Sequence, residues 1–306
     1  MEMHAISTDT SARLVAAGLD PQQVAAIIAA TLAEDLDGGI DVTSVATVPA
    51  TQRSVVTFGA RADGCIAGMD IACAVIEMVC GAANVMIELV RRDGDRVSRG
   101  DVIARVTAPT QSMLTAERTA LNLMCHLSGV ATATSRWVDA VAGTGAVIRD
   151  TRKTTPLLRR LEKYAVRCGG GQNHRMSLSD AALVKDNHIA AAGGVENAFR
   201  LIRAAAGSLP IEIEVDTVDQ LKVAIAAGAD VVLLDNMPPA VMREAVAVVA
   251  AHKASTGRDV LLEASGGLTL ANAGDVAATG VHYISVGALT HSSPVLDIGL
   301  DFETVA

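Results

Sequence analysis

The chain has 306 residues, half of them hydrophobic and only 19% charged; this is enough apolar material for two domains or one large α/β domain, and it excludes a disordered polypeptide. A formal net charge of −9 argues against nucleic acid as a partner, because backbone phosphates need an extended basic face. No apolar run reaches the roughly 18 residues of a membrane helix, and the N-terminus MEMHAISTDTSARL lacks the features of a signal peptide. Cys65, Cys73, Cys80, Cys125 and Cys168 contain no CxxC pair, which suits free thiols in the cytoplasm rather than a zinc site.

In chain order, the stretch from Pro21 to Asp35 spaces Val24, Ile27, Ile28 and Leu32 for an amphipathic helix opened by Asp20-Pro21. Strand-like segments follow: SVVTFGARADGCIAG, then VMIELV and DVIARVT, the last two joined through RRDGDRVSRG with its turn-forming glycines. Residues 93–106 resemble the turn of a biotinyl or lipoyl carrier domain, but a carrier needs a lysine and none precedes Lys153, so the stretch reads as scaffold. A long helix starts near Ser112 and runs through TAERTALNLMCHLSG, and the chain changes character at Ser128–Gly129. Beyond it, AVIRDTRK, ALVKDNH, IEIEVDT, VVLLDN, VLLEASGG and YISVGAL alternate with Ala-rich helical stretches. Six such units in series predict a parallel sheet closed toward a barrel.

Chemistry in such barrels sits at the carboxyl ends of the strands. Here those ends carry Arg152 and Lys153, Lys185, Glu214, Asp235, Ser265-Gly266-Gly267 and Gly287. Residues 149–175 hold eight basic side chains against Asp150 and Glu162, a local excess that a carboxylate or phosphate ligand neutralises. Arginine forks suit planar carboxylates, and lysine, a compact charge, suits diphosphate. Lys153 and Lys185 stand out because the chain has only five lysines. Lys163, Arg159 and Arg160 read as a solvated helix face. Glu214 and Asp235, on adjacent strand ends, suit ribose hydroxyls or a Mg²⁺ beside phosphate oxygens; the alternative is structural ion pairing with Lys185 and Arg152. The paired glycine segments at 264–267 and 285–288 suit a phosphate cradle. The glycines 169–171 imply a tight bend or close ligand approach, and His174 beside Arg175 reads as a pocket position.

The motifs TAER..LN (115–122), DTRKT (150–154), GGGxNHR (169–175), KDNH (185–188) and ASGG (264–267) occur in order, and together they resemble the quinolinate phosphoribosyltransferase family. The resemblance runs from about Thr31 to Phe302. It implies an N-terminal α/β sandwich over 1–128, an incomplete six-stranded α/β barrel of the type II phosphoribosyltransferase kind over 129–288, and a tail, 289–306, packing on the first domain. It also implies a homodimer in which one subunit's sandwich caps the other's barrel.

By the same resemblance, Arg118 reaches from the neighbouring subunit to a quinolinate carboxylate, joined by Arg152, His174 and Arg175, and Thr151 is a further substrate-binding residue. Lys153 and Lys185 meet the pyrophosphate and carboxylate region, Glu214 and Asp235 the ribose or its Mg²⁺, and Ser265, Gly266, Gly267 and Gly287 the 5′-phosphate. The implied reaction joins quinolinate to phosphoribosyl pyrophosphate with decarboxylation, giving nicotinate mononucleotide in NAD biosynthesis. Lys153, Lys185, Glu214 and Asp235 are the implied catalytic set. Leu157 stands where the family usually has glycine. Two alternatives are a phosphoribosyltransferase for nicotinate or another monocarboxylate, which needs fewer arginines, and a non-catalytic binder of pyridine acids.

Overall fold

The computed structural model describes residues 3–303. The chain opens with helices α1 (Thr8–Ala16), α2 (Pro21–Leu36) and α3 (Val42–Thr47), then strands β1 (Arg53–Ala60) and β2 (Gly64–Cys65) and helix α4 (Met69–Cys80). Strands β3 (Met86–Leu89), β4 (Arg96–Val97) and β5 (Val102–Pro109) lead into α5 (Thr110–Ala140), followed by β6 (Val147–Arg149), α6 (Arg159–Cys168), β7 (Ala182–Val184), α7 (Asp186–Ala192) and α8 (Val195–Ala205). The alternation continues with β8 (Ile211–Val215), α9 (Val218–Ala226), β9 (Val231–Asp235), α10 (Pro239–Thr256), β10 (Leu261–Ser265), α11 (Ala273–Ala277), β11 (Tyr283–Ser285), α12 (Ala288–His291) and β12 (Ile298–Phe302). No single helix among the described residues is long and apolar enough to cross a membrane.

The chain divides into two compact units. The first comprises the residues up to Ala133, Thr155–Gly170, and the segment from Ser292 onward. Its sheet is antiparallel in the order β12-β1-β5-β3, with Val56 opposite both Phe302 and Val106. Helix α4 is buried on all sides, and Asp93 caps its start by accepting the N–H groups of Gly68 and Met69, each at 2.9 Å. Helix α5 does not stop at Ser128–Gly129, where the sequence changes character. Its small residues there admit a crossing segment instead, since a Cβ on Gly129 would stand 2.2 Å from the Pro294 carbonyl oxygen.

These units differ from a single cut between residues 128 and 129, because α6 belongs with the first unit. Tyr164 donates to Asp93 at 2.7 Å, and fully buried Glu162 bonds His126 Nε2 at 2.8 Å and accepts the Thr155 N–H at 3.1 Å. Lys163 is also fully buried, so the solvated face expected of it is corrected: Leu161 through Val166 form a continuous buried run. The expected tail 289–306 includes β12, and its last three residues lie outside the described ones.

The second unit, Thr134–Thr154 and Gly171–His291, is built on six parallel strands in the order β6-β11-β10-β9-β8-β7. Successive strands from β7 to β11 are neighbours, and the first strand, β6, pairs with the last, β11, which is the winding of a barrel. The opening between β6 and β7 is narrowed by a bridge from Arg149 to Gln172. Asp150, fully buried directly after β6, holds this loop by accepting from Asn173 Nδ2 at 2.6 Å and the His174 N–H at 2.9 Å.

Candidate active site

Side chains alternate faces along a strand, and the barrel register places Glu214, Leu233 and Glu263 side by side, with Asp235 beside Ser265. At the carboxyl ends of these strands lies a cavity of about 620 Å³ within the second unit. Thr151, Arg152, Lys153, His174, Arg175, Lys185, Glu214, Asp235, Ser265, Gly266 and Gly267 all line it. These are eleven of the thirteen side chains singled out from sequence. Gly287 lies behind Lys153, where a Cβ would stand 2.9 Å from Lys153 Cδ. Arg118 is an exposed residue of α5 in the first unit.

Four cations line the cavity, Arg152, Lys153, Arg175 and Lys185. Arg175 donates from Nη1 to the Ala181 carbonyl at 3.0 Å, and burial, then the charge of Arg152, holds its pKa below the ordinary arginine value. The buried Arg152 Nε has no hydrogen-bond partner among the described residues. The Arg175 charge is thus held in a half-buried space beside a second guanidinium, and an anion bound there offsets both costs. Lys153 is fixed through its backbone, its N–H donating to Thr151 Oγ1 at 2.9 Å and its carbonyl accepting from Thr290 Oγ1 at 2.7 Å.

The same cavity carries acids. Glu214 Oε2 pairs with Lys185 Nζ, so the structural ion pair considered from sequence is present for that lysine. Asp235 Oδ2 instead accepts from Asn236 Nδ2 at 2.7 Å. Glu214 Oε1 and Asp235 Oδ1 are left without a donor among the described residues. Two such oxygens beside a diphosphate fit the requirements of Mg²⁺, which takes one or two carboxylates plus phosphate oxygens. Gly266 and Gly267 follow β10 with φ of 82° and 62°, and a Cβ on Gly266 would meet Asn236 Oδ1 at 2.2 Å. Only glycine admits this backbone here.

Sequence reading missed Glu263 and Asn236, which also line the cavity, and the supporting Asp150, Arg149 and Glu212. A signal for two of them was present. IEIE and LLEAS place Glu212 and Glu263 two residues before Glu214 and Ser265, hence on the same strand face. Burial and the neighbouring Glu212 raise the Glu263 carboxyl above the usual range.

Comparison with known proteins finds relatives over nearly the whole chain. The family model for the quinolinate phosphoribosyl transferase N-terminal domain matches residues 41–128, and that for its C-terminal domain matches residues 130–301. The chain is 52% identical over 270 residues to the nicotinate-nucleotide pyrophosphorylase (carboxylating) of Mycobacterium leprae, covering 88% of this chain and 94% of the relative. It is 48% identical over 219 residues to the probable nicotinate-nucleotide pyrophosphorylase (carboxylating) of Bacillus subtilis, covering 71% and 73%. Among solved structures, NadC from Streptococcus pyogenes superposes with a TM-score of 0.86 at 36% identity, over 93% of this chain and 99% of that one. With both domains matched in order, the chain belongs to the quinolinate phosphoribosyl transferase family.

Proposed function

We propose that the cavity of the second unit is where the chain transfers phosphoribosyl from phosphoribosyl pyrophosphate to quinolinate, releasing pyrophosphate and CO₂ and forming nicotinate mononucleotide for NAD biosynthesis. The names of the relatives describe the same reaction from its product side. The observation that carries the assignment is the pair Arg152 and Arg175, close enough for the charge of one to act on the other, in a cavity that Glu214 and Asp235 also line. A monocarboxylate needs one such fork; a pyridine dicarboxylate uses two.

Arg152 and Arg175 bind the two carboxylates and orient the ring so that its nitrogen faces the anomeric carbon. Lys153 and Lys185 bind the diphosphate, and the backbone at Ser265, Gly266 and Gly267 binds the 5′-phosphate. The ring nitrogen forms a bond to the anomeric carbon as the bond to pyrophosphate breaks. Glu214 and Asp235, beside the sugar, stabilise the positive charge that develops there. The 2-carboxylate then leaves as CO₂, its bonding electrons held at carbon 2 by the adjacent cationic nitrogen until a proton replaces it. Positioning and fixed charge do this work, and no covalent nucleophile is needed.

Glu214 and Asp235 would also hold Mg²⁺, which supplies positive charge to the departing pyrophosphate. Arg118 is assigned to the substrate carboxylates of a neighbouring subunit in a homodimer, a reading supported by its exposure. Free thiols throughout suit a cytoplasmic protein. Purified protein given phosphoribosyl pyrophosphate and Mg²⁺ is expected to release pyrophosphate with quinolinate and not with nicotinate. Equal turnover of nicotinate would refute the substrate assignment, and turnover of neither would support a binding protein.

A further inference from the structure

Behind the cavity the second unit holds charged side chains that the transfer chemistry does not use. His174 and Arg175 separate the cavity from a recess of about 210 Å³ lined also by Arg149 and Glu212. Arg149 stacks over Tyr283, 3.3 Å from the ring centroid, and donates from Nη1 to Glu263 Oε2 at 2.9 Å. Ser285 Oγ donates to Glu263 Oε1. His174 Nε2 stands 2.8 Å from Glu212 Oε2 and 3.5 Å from Glu263 Oε1. On the other side of the same ring, Nδ1 accepts the backbone N–H of Arg175 at 2.7 Å.

A ring nitrogen that accepts an N–H carries no proton. This leaves Nε2 to donate to Glu212, so both ring nitrogens are engaged inside the protein. The ligand atoms of His174, Glu212 and Glu263 lie within 4.8 Å of one another, and they are already engaged, His174 with Glu212 and the Arg175 N–H, Glu263 with Arg149 and Ser285. The arrangement ties the backbone of Arg175 to strand β8. We propose that His174 and Glu212 are positioning residues for Arg175: the locked ring sets the direction from which that guanidinium meets the substrate, and affinity for the dicarboxylate depends on it. The inference rests on the assignment of the cavity to quinolinate.

Calorimetric titration with quinolinate, beside ¹⁵N NMR of histidine-labelled protein with the His174 signals assigned through His174→Ala, tests it. Wild-type protein is expected to show a protonated Nε2 and an unprotonated Nδ1 at His174, free and with quinolinate bound. Glu212→Leu, which removes the acceptor, should weaken quinolinate binding about tenfold or more and leave phosphoribosyl pyrophosphate binding unchanged. Glu212→Gln, whose carbonyl still accepts from Nε2, should recover much of the loss. Protonation of both ring nitrogens on binding quinolinate, or unchanged affinity in Glu212→Leu, would overturn the proposal. Should Glu212→Leu not fold, the wild-type NMR signature decides. Quinolinate bound but not turned over would refute the catalytic reading alone, whereas a doubly protonated ring in an active enzyme would refute the positioning role alone.

Discussion

At the scale of single residues, the proposed substrate choice rests on the arginines of the cavity. Burial and the charge of Arg152 both disfavour the charge on Arg175, and a bound dicarboxylate is expected to offset that cost. Arg175→Gln is therefore predicted to lower kcat/KM for quinolinate by about 10²- to 10³-fold, or ~3 to 4 kcal/mol, in steady-state assays. Arg175→Lys should recover little, because an ammonium lacks the planar fork. Leu157 presents a different case. It sits at φ 67° and is 90% exposed, so it bears the left-handed strain of about 1–2 kcal/mol with little packing in return. Glycine removes the strain but loosens the unfolded chain, so Leu157→Gly should stabilise the protein by about 0.5–1 kcal/mol in denaturant unfolding. Among site residues, Lys153, Lys185, Glu214 and Asp235 were legible because each ends a β-branched run. Lys163 was not, since a charged helical residue is ordinarily solvated and nothing local marks this one as buried.

At the scale of elements, end residues hold several helices in place. Asp41 caps α3, accepting the Ser44 N–H at 3.0 Å and Ser44 Oγ at 2.5 Å, and it also accepts from Thr115 on α5 at 3.3 Å. These bonds, with the Ser44 hydroxyl first, lower its pKa below the ordinary aspartate value. The folded state thus binds fewer protons here than the unfolded one, and the contribution is complete above the unfolded pKa of about 3.9 and lost as pH falls through the folded value. Asp41→Ala should cost about 0.5–2 kcal/mol near neutrality, and urea titrations should show that difference shrinking as pH drops below about 4. Helix α2 was readable from its Asp-Pro start and spacing. Helix α4 was not, because MDIACAVIEMVC is buried on every side and so shows no amphipathic period. The end of α5 was misplaced for a related reason: Ser128 and Gly129 look like a break, but they make room for Pro294.

At the scale of the whole molecule, the six strand-helix units were legible as a barrel because each strand is a short β-branched run and each has a helical successor. The assignment of residues 155–170 to the first unit was not, since it depends on contacts far along the chain, Tyr164 with Asp93 and Glu162 with His126. If Arg118 serves a neighbouring subunit, mixing inactive Arg118→Ala with inactive Lys185→Ala protein should restore part of the activity through hybrid dimers. No recovery after demonstrated subunit exchange would remove Arg118 from a shared site. The most direct test of the central claim uses quinolinate labelled with ¹⁴C in its 2-carboxylate, with phosphoribosyl pyrophosphate and Mg²⁺. The account predicts labelled CO₂ and pyrophosphate in equal amounts, both lost in Lys185→Ala and Asp235→Ala; pyrophosphate without CO₂, or equal turnover of nicotinate, would contradict it.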